Sequence, residues 1–176
     1  MGPLLNRSFL LPMLIISCLG VSRCTKDETP TLFDMVYVFN LDMPAALNTV
    51  QTHFVELNKI PTQIESILAD HQLTVADIGR IEPYNGQLEV VLAPADLDYF
   101  QEIFVELIDT PNRWECFYTP NVPLNTGNRV VLVGTLADFK PWLTQSAMNL
   151  RMGFRLRQPS PSALSFTLRL TFKAKA

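Results

Sequence analysis

The chain has 176 residues, a formal net charge of −3 and three cysteines. Behind a leader and a short tether, about 145 residues remain, enough for one domain with its own core and no disulfide framework. The acidic charge balance excludes nucleic acid as an expected partner.

The N-terminal segment has the residue order of a secretory signal. Arg7 precedes an apolar run from Phe9 to Ile16, and the small residues Ser17 and Cys18 follow. The run is too short to span a bilayer as a stable helix, so we expect it to be removed. The sequence Ile15-Ile16-Ser17-Cys18 resembles the lipobox of bacterial lipoproteins, in which the cysteine is diacylated and becomes the mature N-terminus. The resemblance implies a palmitate-type lipid anchor at Cys18.

Cys24 is the alternative lipidation site. The residues behind it resemble the lysine-plus-acidic export tag of surface lipoproteins in some Gram-negative bacteria: Lys26, Asp27 and Glu28. Arg23, directly before Cys24, does not suit a peptidase that reads small side chains, so Cys18 has the better cleavage site. The predicted organisation is a signal peptide over residues 1–17, a lipidated N-terminus and polar tether over 18–31, and a β domain over 32–176.

The first part of the domain contains short strands and short helices. A period of two in apolar residues predicts a strand over 33–40, and a β-branched bias favours a strand over the ambiguous segment 47–57. We expect a helix over 62–71, a capping-box turn over 74–77, and a strand over 88–93 behind an Asn85-Gly86 turn. Aromatic and β-branched residues predict further strands over 100–109, 114–119 and 129–134, followed by a helical piece over 136–143.

The C-terminal part has the clearest pattern. Apolar residues alternate with polar ones over 148–157 and again over 164–173, which predicts two antiparallel strands with one buried face each. Ten of the thirteen prolines lie in the domain and divide it into short elements. The fold class we expect is mainly β, an antiparallel β-sandwich of immunoglobulin-like or Greek-key type with one or two short helices. Uneven strand lengths and the interrupting helices favour a sandwich over a closed barrel.

Catalytic and metal-binding chemistry find little support. The only histidines, His53 and His71, have no metal-ligand spacing and no nucleophile motif beside them. Glu102 and Glu106 would share one face of a strand about 13–14 Å apart, too far for a glycosidase pair. Asp96 is better explained as a cap for the following turn. We therefore expect no enzyme, no metal and no cofactor.

Aromatic residues offer a candidate ligand site. Trp114, Tyr118 and Trp142 could form a stacking platform for a sugar or an apolar contact for a protein, or else act as lids on the core. Cys116 is the one cysteine in the globular part, and we expect a buried apolar residue there, with a Cys24–Cys116 disulfide as the alternative.

The acidic and basic residues are separated along the chain. All 17 Asp and Glu lie between Asp27 and Asp138, and the residues from Phe139 onward include seven basic side chains and no acidic one. These cations either pair with acidic neighbours such as Glu102 and Glu106 across a sheet or form a patch for an anionic partner. The candidate patch consists of Arg151, Arg155, Arg157, Arg169 and Lys173.

The lipoprotein resemblance sets the expected function. It implies a lipoprotein of the cell envelope, with the outer membrane favoured, anchored through its N-terminal acyl chains. We expect a non-catalytic module that binds an envelope protein or a glycan. The alternative is a periplasmic carrier or chaperone for an apolar ligand, which requires an internal cavity.

Overall fold

Eight antiparallel strands form one nearly closed sheet in the computed structural model, which describes residues 29–91, 96–160 and 162–176. The strands are β1 (Thr31–Met43), β2 (His53–Pro61), β3 (Arg80–Val90), β4 (Phe100–Asp109), β5 (Asn112–Thr119), β6 (Arg129–Gly134), β7 (Ala147–Leu156) and β8 (Leu164–Lys175). Two short helices, α1 (Ile64–His71) and α2 (Lys140–Leu143), lie between them. The prediction of a mainly β, antiparallel fold with short helices is confirmed.

The sheet has two halves with a thin junction. The strand order is β1-β8-β3-β6-β5-β4-β7-β2, and we call β1-β8-β3-β6 the first half and β5-β4-β7-β2 the second half. Across the junction β5 and β6 align only at Phe117 with Gly134 and at Tyr118 with Val133. β1 and β2 are the two edge strands of this order.

The inward faces of both halves meet in one core. Along β8 every second residue is buried, from Phe166 to Ala174, because side chains of a strand alternate between its two faces. Phe117 of the second half lies edge-on to Phe172 of the first at 5.1 Å between ring centroids, and Phe100 lies 5.9 Å from Phe166. Each fully buried Leu or Phe stabilises the fold by about 1.5–3 kcal/mol.

The two C-terminal strands form where they were predicted, although they do not pair with each other. β8 pairs with β1 and β3, whereas β7 pairs with β2 and β4. β7 also departs from the expected single buried face, since the outward residues Arg151 and Gly153 are buried as well.

The Asn85-Gly86 turn prediction is wrong, because both residues lie inside β3 beside a register shift. Gly86 faces inward, and a Cβ atom on it would lie 2.8 Å from the Cβ of Leu132, so the position requires glycine for close packing.

The strand predicted over 47–57 begins only at His53. Asn48 Oδ1 accepts hydrogen bonds from the backbone N–H groups of Val50 and Gln51 and holds the preceding residues in a turn.

Several local predictions are confirmed. The capping box joins Thr74 and Asp77, and hydrogen bonds from Thr74 lower the pKa of the Asp77 carboxyl. The Asp96 side chain accepts a hydrogen bond from the backbone of Asp98 and caps the following turn. Cys116 is a buried free thiol, and burial raises its pKa. None of the helices formed by the described residues has the length and apolar character needed to cross a membrane.

Candidate functional site

An aromatic row crosses the outer face of the second half. Strand register aligns Tyr118 with Phe104, Phe104 with Gly153, and Gly153 with Phe54. The rings of Phe54 and Phe104 meet edge-to-face at 6.3 Å above Gly153. A Cβ atom on Gly153 would lie 2.3 Å from Phe104 Cζ, so glycine is what lets the ring lie flat on β7. Phe54 remains 48% exposed.

A charged row runs beside the aromatic one. Register aligns Glu115 with Glu106, Glu106 with Arg151, and Arg151 with Glu56. Arg151 Nε lies 3.1 Å from Glu106 Oε2, and the guanidinium carbon lies 4.1 Å from the centre of the Phe54 ring. We call these two rows the aromatic–glutamate face; it consists of Phe54, Glu56, Phe104, Glu106, Glu115, Tyr118, Arg151 and Gly153.

Carboxylates dominate the accessible charge of the aromatic–glutamate face. Arg151 is buried under Phe54, whereas Glu56 and Glu115 are exposed. The pKa of Glu115 is raised mainly by partial burial. The nearby negative charges of Glu106 and Glu102 raise it further. The face therefore presents a half-exposed aromatic ring beside Glu56 and Glu115, which form no salt bridge with any described residue. This arrangement suits a partner with basic and apolar side chains.

A second aromatic site lies where the β4–β5 hairpin meets α2. The rings of Trp114 and Trp142 are 5.3 Å apart at an angle of 43°, and Trp142 also packs on the buried Phe139. Trp142 Nε1 donates a 2.9 Å hydrogen bond to Asp109 Oδ2. Trp114 is 44% exposed. We call Asp109, Trp114 and Trp142 the tryptophan site.

The structure separates the three aromatic residues singled out in the sequence. Trp114 and Trp142 come together, whereas Tyr118 lies in the aromatic–glutamate face. Phe54, Phe104, Gly153 and Asp109 were not singled out. Gly153, within the alternating pattern of β7, was the sequence feature that could have indicated this face, because a glycine in a strand marks close approach by another group.

The five basic residues of the candidate patch divide between the two halves. Arg151, Arg155 and Arg157 lie on or directly after β7, and Arg169 and Lys173 lie on β8. Arg151 pairs with Glu106 and Arg155 is aligned with Glu102, as expected from pairing across a sheet. Arg157 donates hydrogen bonds to Asp98 O and Asn121 Oδ1.

The remaining predicted residues are placed as follows. His53 Nε2 lies 2.8 Å from the backbone oxygen of Asn48, and His71 stacks on Phe33, so the two are in different local settings. In the described part of the chain, no three His, Cys, Asp or Glu side chains are grouped to hold a metal ion. Cys18, Cys24, Lys26, Asp27 and Glu28 lie outside the described residues.

Comparisons with known proteins do not identify a family. No family model matches the chain, and no curated protein matches it. A solved structure titled Desmodium yellow mottle tymovirus is 13% identical, with 100% of this chain and 92% of that chain covered and a TM-score of 0.24. A structure of the empty head of turnip yellow mosaic virus is 11% identical, with 99% and 90% covered and a TM-score of 0.22. Similarities this distant carry no argument about function.

Proposed function

We propose that this chain is a non-catalytic protein-binding module, held at a bacterial envelope membrane by an acylated cysteine, and that it binds a basic partner segment through the aromatic–glutamate face. The observation that carries the proposal is the half-exposed Phe54 ring, fixed over the buried Arg151 and bordered by the exposed Glu56. Rigid aromatic groups in a charged border are typical of interface anchors.

We further propose that the two halves of the sheet are the two layers of a β-sandwich with jelly-roll strand order. The orders β1-β8-β3-β6 and β5-β4-β7-β2 interleave early and late strands, as expected for eight antiparallel strands folded through two Greek keys. The two-pair junction between β5 and β6 and the ring contacts between the halves support two packed layers. We propose this order in place of the immunoglobulin-like variant of the sequence prediction.

The position of the face on an edge strand supports protein binding. β2 ends the sheet order, so its outer backbone groups can pair with an added strand. Residues 53–57 of β2 hold regular register with β7 before the shift ahead of Ile60. A basic extended segment added here would bring its cations beside Glu56 and its apolar side chains beside Phe54.

Site-specific photo-crosslinking tests this proposal. We expect a benzoylphenylalanine placed at position 54 of the full chain, in its native cells, to capture a partner that the same group at position 36 does not. Val36 is the matched control, because it is also 48% exposed but lies on the first half. Glu56→Lys should lower capture at position 54 by about threefold, since an exposed charge contributes less than about 1 kcal/mol. Equal capture at both positions, or no effect of charge reversal, would contradict the proposal.

The anchor is tested by acyl-chain labelling. We expect Cys18→Ala to abolish labelling with a palmitate analogue and Cys24→Ala to retain it. The opposite pattern would move the anchor to Cys24, and labelling of both variants would exclude a single lipidated cysteine.

The carrier alternative requires an apolar cavity, and the described residues form several pockets. Two of them, of about 510 and 270 Å³, include serine, threonine, glutamine and glutamate in their walls rather than apolar side chains alone. Saturable uptake of a fluorescent fatty acid by the delipidated chain would support the carrier alternative.

The strand order favours one second candidate, a subunit of a closed protein shell, since jelly rolls also build viral capsids. Fold alone does not decide function, so the oligomeric state is the test. Sedimentation of the purified chain as particles far larger than a dimer would support the shell, whereas a monomer or dimer would support the binding module.

A further inference from the structure

We propose that the tryptophan site binds a neutral pyranose glycan by stacking one sugar ring on Trp114. The site is separate from the aromatic–glutamate face and does not depend on protein binding there. Trp142 is the supporting ring, because it packs both on the buried Phe139 and on Trp114. Trp114 is the outer ring, and its 44% exposure leaves aromatic surface open to solvent.

Polar groups lie beside Trp142, the ring that packs against the exposed Trp114. Asp109 is exposed, and from the described residues its side chain accepts one hydrogen bond, donated by the Trp142 indole. A carboxylate accepts about four, so acceptor capacity remains for sugar hydroxyls. A pocket of about 70 Å³ lies directly beside Trp142, with Gln145 and Asn149 in its wall. That volume holds a few waters, or a hydroxymethyl group in their place.

The same geometry selects the chemical class of the ligand. The C–H face of a pyranose is apolar and complements an aromatic ring, and the hydroxyls at its rim complement carboxylate and amide groups. The Asp109 carboxylate disfavours an acidic sugar through charge repulsion. The two rings touch each other at 5.3 Å, so they cannot enclose a quaternary ammonium group between them as an aromatic cage does.

Intrinsic tryptophan fluorescence reports on this site alone, because the chain contains only two tryptophans and both belong to the tryptophan site. We expect titration of the full chain with cellohexaose, laminarihexaose, mannohexaose and chitohexaose to give a saturable emission shift with at least one of them. Trp114→Ala should weaken that binding about tenfold, measured by calorimetry, and Trp114→Phe should retain part of it. Tyr84→Ala, at an exposed tyrosine of β3 on the first half, should bind like the parent chain.

The proposal is overturned by any of three results: no shift with any of these neutral hexasaccharides, equal affinity in Trp114→Ala, or tighter binding of hexagalacturonate or choline. If Trp114→Ala fails to fold, the affinity of Asp109→Asn for the neutral glycan tests the site instead. This change keeps an acceptor oxygen for the Trp142 indole and removes the carboxylate charge, so it should lower affinity for the neutral glycan severalfold; unchanged affinity would count against the site. If position 54 captures no partner while the chain still binds the sugar, only the protein-binding proposal is contradicted.

Discussion

The two outer faces of the sheet carry the same pair of groups in opposite settings. On the first half, Lys173 lies 3.6 Å above the ring of Tyr84, which is 60% exposed, and both groups face solvent in part. On the second half, Arg151 lies against the Phe54 ring, pairs with Glu106 and is itself buried. On the first face the cation is partly solvated, and on the second face it is buried.

The difference shows that an outward strand position is not the same as an exposed one. Gly153 lets the Phe104 ring cover β7, and Phe54 then covers Arg151 from the edge strand. Side chains held in one geometry before binding lose less conformational entropy when a partner arrives. The second half is therefore the better prepared contact surface.

Removal of the two cations gives the largest expected contrast between the faces. Arg151→Met keeps an apolar stem and leaves the half-buried Glu106 uncompensated beside Glu115. We expect it to lower the free energy of unfolding by about 2–3 kcal/mol, somewhat less than for a fully buried pair. Lys173→Met should cost about 0.5–1 kcal/mol, the range for an exposed cation–π contact. Urea denaturation at neutral pH measures both losses, and equal losses would show that burial of Arg151 makes no difference between the two faces.

A smaller effect is expected from the glycine under the aromatic row. Gly153→Ala places a Cβ atom against Phe104 and forces the ring off β7, for which we expect a net loss of about 1 kcal/mol. Thr171→Ala is the matched change on β8 of the first half and should stay within about 0.5 kcal/mol. Thermal unfolding compares the two variants. A neutral Gly153→Ala would mean that the ring does not depend on the glycine.

The sequence predicted what depends on local alternation. In β7 and β8 the period of two identifies the inward residues, such as Leu150 and Leu168, because neighbouring side chains must point to opposite faces. The same rule correctly placed Glu102 and Glu106 on one face of β4, and Glu106 does pair with a C-terminal cation.

Strand partners and the site could not be predicted in this way. β8 pairs with β1 across more than a hundred residues, and no local pattern encodes such a distant choice. Phe54 lies in the segment 47–57, whose sequence was ambiguous between helix and strand and gave no direction for the ring. Only its alignment with Gly153 reveals that it points outward. The aromatic–glutamate face follows from non-local register rather than from any motif.

The smallest expected effect concerns the like-charged pair Glu115 and Glu106 on the second face. Because the pKa of Glu115 is raised in the folded state, the native protein binds more protons than the unfolded chain between the ordinary and the raised value. Stability from this group therefore falls as pH rises through that window, and ionised Glu115 is destabilising above it.

Glu115→Gln should consequently raise the free energy of unfolding by about 0.5 kcal/mol at neutral pH, and the gain should vanish below the ordinary pKa of a glutamate. The control is Glu89→Gln on the first half, where Glu89 accepts hydrogen bonds from Gln87 and Asn128 and is aligned with the cation of Arg129. Urea denaturation across the acidic range separates the two. A gain in the free energy of unfolding for Glu115→Gln that does not change with pH would assign the effect to packing. The difference in stability between the two faces would then come from the rings of the second face rather than from its carboxylates.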